Sequence, residues 1–225
     1  MTSVFIKVCG ITRAGDARHA VEQGATALGF VLWPKSPRAI TADRAAEIVA
    51  ELPAHVMSVG VFVNESIDSI RTTAEHVGLT AVQLHGDEPP AYADALEWPV
   101  IRAVSVGEIN LAADAWSPDT ALLVDNIDPV RRGGTGSAVD WTRAAGIAKT
   151  RRVVLAGGLT PDNVATAIRA VHPFGVDVSS GVEWAPGVKD LDKVAQFISN
   201  ARLGFQSVGA DLQVRPGVPR ANQRG

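Results

Sequence analysis

The sequence of 225 residues has a single cysteine, few aromatic residues and no marked excess of charge of one sign. One cysteine excludes an internal disulfide and any metal cluster built from several cysteines, so a disulfide-rich secreted scaffold and a zinc finger are both ruled out. With 21 basic and 24 acidic residues, the net charge of −3 gives no overall field that would attract nucleic acid. We therefore expect no nucleic-acid partner.

The sequence also lacks a long apolar segment. No stretch approaches the ~18 consecutive apolar residues that a transmembrane helix needs. The N-terminus has neither the cationic flank nor the apolar region of a signal peptide. These two absences predict a soluble, cytoplasmic protein with no membrane partner, and a reducing compartment keeps the thiol of Cys9 free.

What the sequence does contain is a series of short apolar runs rich in β-branched residues, alternating with helical patterns. Continuous apolar strands are buried on both faces, which is typical of a parallel sheet covered by helices. Eight such units in about 200 residues favour a closed (β/α)8 TIM barrel over an open doubly wound sheet. The eight runs are residues 5–9, 27–32, 57–63, 81–85, 100–106, 121–125, 152–156 and 175–179.

Several residues have the chemistry of helix ends. Thr12 and Thr41 precede helical patterns and can accept a hydrogen bond from the first turn, as can Thr160, which is followed by Pro161. Gly24 stands where the first of these helices should end.

The barrel pattern stops near residue 203. Residues 1–203 are predicted to form one barrel domain. Residues 204–225 show neither helical nor strand periodicity, and we expect them to form a flexible tail.

In a barrel of this kind, the active site lies where the strands end and the following loops begin. Cys9 closes the first strand, two residues after Lys7 and just before a helix, and both neighbours stabilise a thiolate that can act as a base. Asp125 closes the sixth strand and can act as a general acid. Such a pair suits an isomerisation by proton transfer. The alternatives are a small buried Cys9 and an Asp125 that caps its loop.

Glycine-rich loops follow the seventh and eighth strands, the usual phosphate-binding position in barrels. They contain Gly158 and the pair Ser180 and Gly181, although isolated glycine pairs also mark simple turns. Arg38 lies on a loop stiffened by prolines, where its guanidinium could bind a substrate carboxylate or remain an ordinary surface group.

Two further residues are candidates for substrate contact. Gly134 lies in the glycine-rich segment 133–136, which is either a lid that closes over substrate or a solvated connector. His85 follows the fourth strand, but no second histidine or carboxylate lies at ligand spacing in the same loop. We therefore expect His85 to have a structural or substrate-orienting role, and we expect no metal site.

Taken together, these segments resemble the phosphoribosylanthranilate isomerase family. Each motif alone is weak, but the series follows the family's order across about residues 4–203. The matching segments are KVCGIT at 7–12, GF at 29–30, SPR at 36–38, VFVN at 61–64, QLHG at 83–86, LVD at 123–125, GGTG at 133–136, LAGGL at 155–159, NV at 163–164, DVSSGVE at 177–183 and the residues Gly187, Lys189 and Asp190.

The resemblance implies a monomeric or dimeric (β/α)8 barrel of tryptophan biosynthesis with a small phosphoribosyl substrate. The family converts N-(5-phosphoribosyl)anthranilate to 1-(2-carboxyphenylamino)-1-deoxyribulose 5-phosphate by an Amadori rearrangement. Two proton transfers suffice for this reaction, so no cofactor is expected. By the resemblance, the general base is Cys9, the general acid is Asp125, the anthranilate carboxylate binds Arg38, and the phosphate binds at Gly158, Ser180 and Gly181.

Two other functions remain open from the sequence. A histidine-pathway phosphoribosyl isomerase runs the same rearrangement, but its pattern has aspartate at both strand ends, and Cys9 argues against it. A barrel that binds sugar phosphates without catalysis is disfavoured by the joint presence of Cys9, Asp125 and Arg38. Arg131 and Arg132 precede the glycine-rich segment as a local feature to which we assign no role.

Overall fold

Eight parallel strands close into a barrel in a computed structural model that describes residues 4–125 and 141–213, with side chains as far as residue 209. Each strand pairs with the next along the chain, and the last pairs with the first, which confirms the predicted (β/α)8 TIM barrel. Every strand lies within one residue of its predicted limits. The strands are β1 Phe5–Cys9, β2 Ala27–Val31, β3 Met57–Phe62, β4 Ala81–Leu84, β5 Val100–Ser105, β6 Ala121–Asp125, β7 Val153–Leu155 and β8 Gly175–Val178.

A helix follows each strand along the chain. After β8, a single 3-10 turn, Ser180–Val182, leads into a two-stranded antiparallel hairpin before the last helix begins. None of the helices in the described part of the chain is long and apolar enough to cross a membrane. The elements are α1 Ala14–Gln23, α2 Ala42–Ala50, α3 Ile67–Val77, α4 Ala91–Ala95, α5 Ile109–Ala115, α6 Trp141–Ala148, α7 Val164–Val171, β9 Glu183–Ala185, β10 Val188–Lys189 and α8 Leu191–Gln213.

The hydrophobic core has two layers. Alternate strand residues point inward, so one small cluster fills the barrel interior, and Val59 and Leu123 are members of it. The residues between them point outward into a larger cluster between strands and helices, which contains Val8 and Phe30. Because both faces of each strand are buried, the strands appear in the sequence as continuous apolar runs.

Two of the predicted helix ends are confirmed. The hydroxyl of Thr41 accepts a hydrogen bond of 3.3 Å from the backbone N–H of Arg44 in the first turn of α2. Gly24 ends α1 with φ of 100°, a left-handed conformation that glycine adopts without steric cost.

The two other helix starts are wrong. α1 begins one residue later than predicted, after Arg13, and the hydroxyl of Thr12 donates instead to the carbonyl of Gly187. α7 begins after Asn163, because Thr160 lies in a preceding turn where its N–H donates to the Asn163 side chain at 2.8 Å. At Thr12 a contact formed by folding thus engages the hydroxyl that a cap would have used, whereas at Thr160 the turn is closed through the backbone N–H.

The expected absence of regular structure after residue 203 is wrong for residues 204–213, which continue α8. Val208 is only 7% exposed, and Phe205 packs against the main core. At Gly204, an added Cβ would lie 3.1 Å from the Cα of Ala165, so the absent side chain lets α8 lie close to α7. Residues 214–225, the rest of the expected tail, lie outside the described residues.

We predict that a chain ending at residue 203 is less stable than one ending at residue 213. The shorter chain loses the buried side chain of Val208 and the partly buried Phe205. Loss of that burial should lower the free energy of unfolding by about 2 kcal/mol. Urea unfolding of the two chains under the same conditions measures the difference, and equal midpoints would show that the last turns of α8 contribute nothing.

Candidate active site

Three of the predicted residues lie at the carboxyl-terminal rim of the barrel. Cys9 and Asp125 are the last residues of β1 and β6, and His85 directly follows β4. Asp125 lies two residues after Leu123, a member of the interior cluster, and therefore shares the inward face of its strand. The rim thus holds a thiol, a carboxylate and an imidazole. They come from the ends of different strands, which is how the active sites of barrel enzymes are generally built.

The thiol of Cys9 lies in a closely fitted polar pocket. Cys9 is 8% exposed, and Lys7, one inward position below it, is completely buried. The ammonium of Lys7 donates to the Asp177 carboxylate at 2.9 Å. Gly29 pairs with Cys9 across β1 and β2, and a Cβ at Gly29 would lie 2.6 Å from the Cys9 sulfur. Glycine at this position therefore makes the space that the thiol occupies.

The environment of Cys9 does not favour the thiolate in the free protein. Burial raises the pKa of Cys9, and although the charges of Lys7 and Lys189 lower it, burial together with the Asp177 charge leaves the pKa above its ordinary value. The expectation of a stabilised thiolate is wrong in this respect, because burial outweighs the lysine. Burial alone would lower the pKa of Lys7, but Asp177 and Cys9 raise it, so the lysine stays charged.

We predict that alkylation of Cys9 by iodoacetamide accelerates steadily from neutral to alkaline pH. Because the pKa lies above its ordinary value, the thiolate fraction should still grow between about pH 7 and pH 9, by up to about tenfold per pH unit. Mass spectrometry of the intact protein measures the rate without interference, since Cys9 is the only cysteine. Cys9→Ser is the unlabelled control, and a rate that levels off near neutral pH would contradict the raised pKa.

Arg38 lies at the same rim but is already paired. Its Nε donates to both carboxylate oxygens of Glu183 at 3.0 Å, and its Nη2 donates to one of them at 2.8 Å. The same carboxylate accepts from the ammonium of Lys189 at 2.7 Å. Burial alone would raise the pKa of Glu183, but Arg38 and Lys189 hold it below its ordinary value. Glu183 is therefore an anion, a role that the sequence analysis did not assign to it.

The two predicted phosphate loops lie against each other. Gly158 has φ of 73°, and its carbonyl accepts from the Asn163 side chain at 2.9 Å. An added Cβ at Gly181 would lie 1.9 Å from the carbonyl oxygen of Leu159, so only glycine allows this approach of the two backbones. Ser180 begins the 3-10 turn in the same place. Gly158, Ser180 and Gly181 are thus brought together, as predicted for one phosphate site.

His85 is held from below by a neighbouring strand residue. It is 8% exposed, and the side-chain nitrogen of Gln83 lies 2.9 Å from its Nδ1. Because an amide nitrogen can only donate, Nδ1 accepts this bond. This arrangement agrees with an orienting role for His85.

The loop after His85 is fastened by Glu88, which the sequence analysis missed. This buried carboxylate accepts from the backbone N–H groups of Asn64 at 2.6 Å and Gly86 at 2.8 Å. It also accepts from Arg102 Nη1 at 2.7 Å, and the Arg102 guanidinium lies over the ring of Trp116. Asn64, just after β3, and Arg102, within β5, therefore serve to fix this loop.

Two expectations from the sequence concern the glycine-rich segment and metal binding. Gly134, Arg131 and Arg132 lie in the segment 126–140, outside the described residues. Within the described ranges, no group of three histidine, cysteine, aspartate or glutamate residues is arranged to hold a metal ion.

The sequence of the barrel matches a known family along nearly its whole length. The family model described as N-(5'-phosphoribosyl)anthranilate (PRA) isomerase matches residues 6–200. The chain belongs to this isomerase family. The matched span includes all of the predicted site residues from Cys9 to Gly181.

Individual relatives of the isomerase family are close in sequence and structure. The N-(5'-phosphoribosyl)anthranilate isomerase of Citrifermentans bemidjiense is 50% identical over 198 residues, covering 88% of this chain and 96% of that protein. That of Pelobacter propionicus is 48% identical over 200 residues with the same coverage. The crystal structure of the Thermotoga maritima isomerase is 44% identical with a TM-score of 0.82, covering 88% of this chain and 98% of that one.

A further solved isomerase of the family was crystallised with a ligand. It is 43% identical with a TM-score of 0.79, covers 88% of this chain and 98% of its own, and is in complex with reduced 1-(o-carboxyphenylamino)-1-deoxyribulose 5-phosphate.

Proposed function

We propose that this protein converts N-(5'-phosphoribosyl)anthranilate to 1-(2-carboxyphenylamino)-1-deoxyribulose 5-phosphate in tryptophan biosynthesis. The observation that carries the proposal is the placement of Cys9 and Asp125 at the ends of two strands on one barrel rim, in a chain of this isomerase family. Support comes from the relative that binds the reduced form of this product.

The reaction needs an acid that protonates the ring oxygen of the sugar and a base that removes the proton from C2. Asp125 protonates the furanose ring oxygen, the bond from that oxygen to C1 breaks, and the nitrogen lone pair forms a Schiff base. Cys9 then removes the proton from C2, and the electrons of that C–H bond form an enolamine. The enolamine tautomerises to the ketone, so atoms and charge balance without an oxidant or reductant.

Cys9 must be a thiolate when it takes this proton. The raised pKa makes the thiolate scarce in the free protein, but it also makes that thiolate a stronger base once formed. Lys7 lies beside it as a permanent positive charge, which favours the ionised form against the cost of burial. Lys7 thereby contributes to the proposed reaction without contacting the proton itself.

The remaining residues bind the substrate's two charged ends. Backbone N–H groups around Gly158, Ser180 and Gly181 are proposed to hold the phosphate. Arg38 is proposed to bind the anthranilate carboxylate, and His85 to orient the sugar. Gly134 is proposed to contact the substrate. We further propose a cytoplasmic monomer or homodimer, and one solved Thermotoga maritima relative is a monomer generated from a dimeric isomerase.

We predict that Cys9→Ser and Asp125→Asn each lower kcat by about 10²-fold or more, because each removes one proton-transfer group. The loss of substrate fluorescence after addition of purified protein measures the rate. Circular dichroism and thermal melting show that the variants remain folded. An unchanged rate in either variant would disprove the role assigned to that residue.

We predict that Arg38→Ala raises KM by about tenfold or more, the usual effect of losing a charge-assisted hydrogen bond. Inhibition constants separate the two ends of the ligand. The variant should bind the reduced product more weakly and bind ribulose 5-phosphate, which has no aromatic carboxylate, as the parent does. Equal weakening of both inhibitors would contradict the assignment of Arg38 to the carboxylate.

A further inference from the structure

The hairpin of residues 183–189, called here the rim hairpin, turns buried charges toward the site and apolar surface toward solvent. Glu183 is 9% exposed and Lys189 is 3% exposed, whereas Trp184 between them is 75% exposed. The hairpin is tied to the start of the barrel, because Thr12 donates to the carbonyl of Gly187. The charged residues at its two ends, Glu183 and Lys189, lie between the loops that follow β1 and β2 and the end of β8.

Glu183 fixes one side of the Arg38 guanidinium. A guanidinium has five N–H donors in a rigid plane, and Glu183 takes the pair formed by Nε and Nη2. Nη1 has no hydrogen-bond partner among the described residues. The edge formed by Nη1 and the second Nη2 proton has the geometry that binds a second carboxylate in two parallel hydrogen bonds.

This pair differs from an ordinary surface ion pair. The side chains of Arg38 and Glu183 are only 15% and 4% exposed, so both are largely removed from solvent and held by their surroundings. An added Cβ at Gly10 would lie 2.8 Å from the Cδ of Arg38 and 3.1 Å from the hydroxyl of Ser179. The arginine is therefore packed against the backbone that directly follows Cys9.

Lys189 connects Glu183 to the proposed base. Its ammonium donates to the Glu183 carboxylate at 2.7 Å, to the backbone carbonyl of Cys9 at 2.5 Å and to that of Ser179 at 3.5 Å. Its backbone N–H donates to the Asp16 carboxylate at 3.1 Å. The chain of contacts thus runs from the carbonyl of the base, through Lys189 and Glu183, to the guanidinium.

Stability alone is a weak reason for such a buried arrangement. Removing a carboxylate and an ammonium from water costs about as much as their attraction returns, and apolar residues of similar size often serve stability as well. Burial in fact lowers the pKa of Lys189 in spite of the Glu183 charge. A cost of this kind is understandable where the charges fix the position of groups that must act together.

We propose that Glu183 and Lys189 are positioning residues for the reaction. Glu183 turns the free edge of Arg38 toward the substrate carboxylate, and Lys189 holds Glu183 at a set position relative to the backbone of Cys9. The rim hairpin thereby fixes the distance between the carboxylate-binding group and the base. This inference rests on the proposed function and adds to it the means by which Arg38 is oriented.

The first test is Glu183→Gln, which keeps the size of the side chain and removes its charge. KM should rise about tenfold because the guanidinium is no longer fixed, whereas kcat should change about threefold or less. Binding of ribulose 5-phosphate, which lacks the carboxylate, should not change. A lower KM would show that Glu183 competes with substrate for Arg38, and an unchanged KM would show that it does not act on binding. Either result overturns the inference.

A double-mutant cycle separates positioning from a general loss of structure. If Glu183 acts through Arg38, Glu183→Gln should have little further effect on KM in the Arg38→Ala background. Additive effects would overturn the inference. Glu51→Gln is the matched control, because Glu51 pairs with Arg18 at 3.4 Å on the exposed surface and lies outside the site. It should leave KM and kcat unchanged.

The second test is Lys189→Met, which removes the link between Glu183 and Cys9. This variant should raise KM as Glu183→Gln does, and it should slow alkylation of Cys9 at a fixed pH because a neighbouring positive charge is lost. No change in either quantity would overturn the role of Lys189. If the variant does not fold, Lys189→Arg keeps the charge and should retain the parent's alkylation rate.

A parent protein without isomerase activity would refute the proposed function itself, whereas an active parent with an additive cycle would refute only this inference.

Discussion

Closure of the barrel between β1 and β8 is the constraint on which the rest of the structure depends. Phe5 pairs with Gly175, and an added Cβ at Gly175 would lie 2.6 Å from the carbonyl oxygen of Phe5, so glycine lets the two strands meet. The ion pair of Lys7 and Asp177 crosses the same seam. Because Cys9 ends one of these strands and the proposed phosphate loop follows the other, closing the barrel also places the base beside the phosphate site.

The strands could be predicted from sequence because their environment leaves a local mark. Residues buried on both faces must be apolar at successive positions, and turns interrupt these runs at defined places. The helix ends are less predictable, since a side chain such as Thr12 can cap a helix or bond to a distant carbonyl. The continuation of α8 depends on packing of Val208 and on the contact at Gly204, neither of which has a local signature.

The residues of the candidate site likewise fall into those that could be predicted from the sequence and those that could not. Cys9, His85 and Asp125 could be predicted because they stand at strand ends, and the topology of a barrel brings strand ends together. Glu183 could not be paired with Arg38 from sequence, because 145 positions separate them and no spacing rule relates them. The direction of the Cys9 pKa also escaped prediction, because the neighbouring lysine is visible in the sequence but the depth of burial is not.

The link from Lys189 to the carbonyl of Cys9 has a consequence for how the protein is made. It joins positions 180 residues apart, so the first strand emerges from the ribosome long before Lys189 is synthesised. A chain lacking the last barrel unit would hold Lys7 without Asp177, and an apolar interior disfavours an unpaired ammonium. Folding of an incomplete barrel is therefore unfavourable, and the last strand–helix unit to be synthesised supplies the carboxylate that pairs with Lys7 of the first.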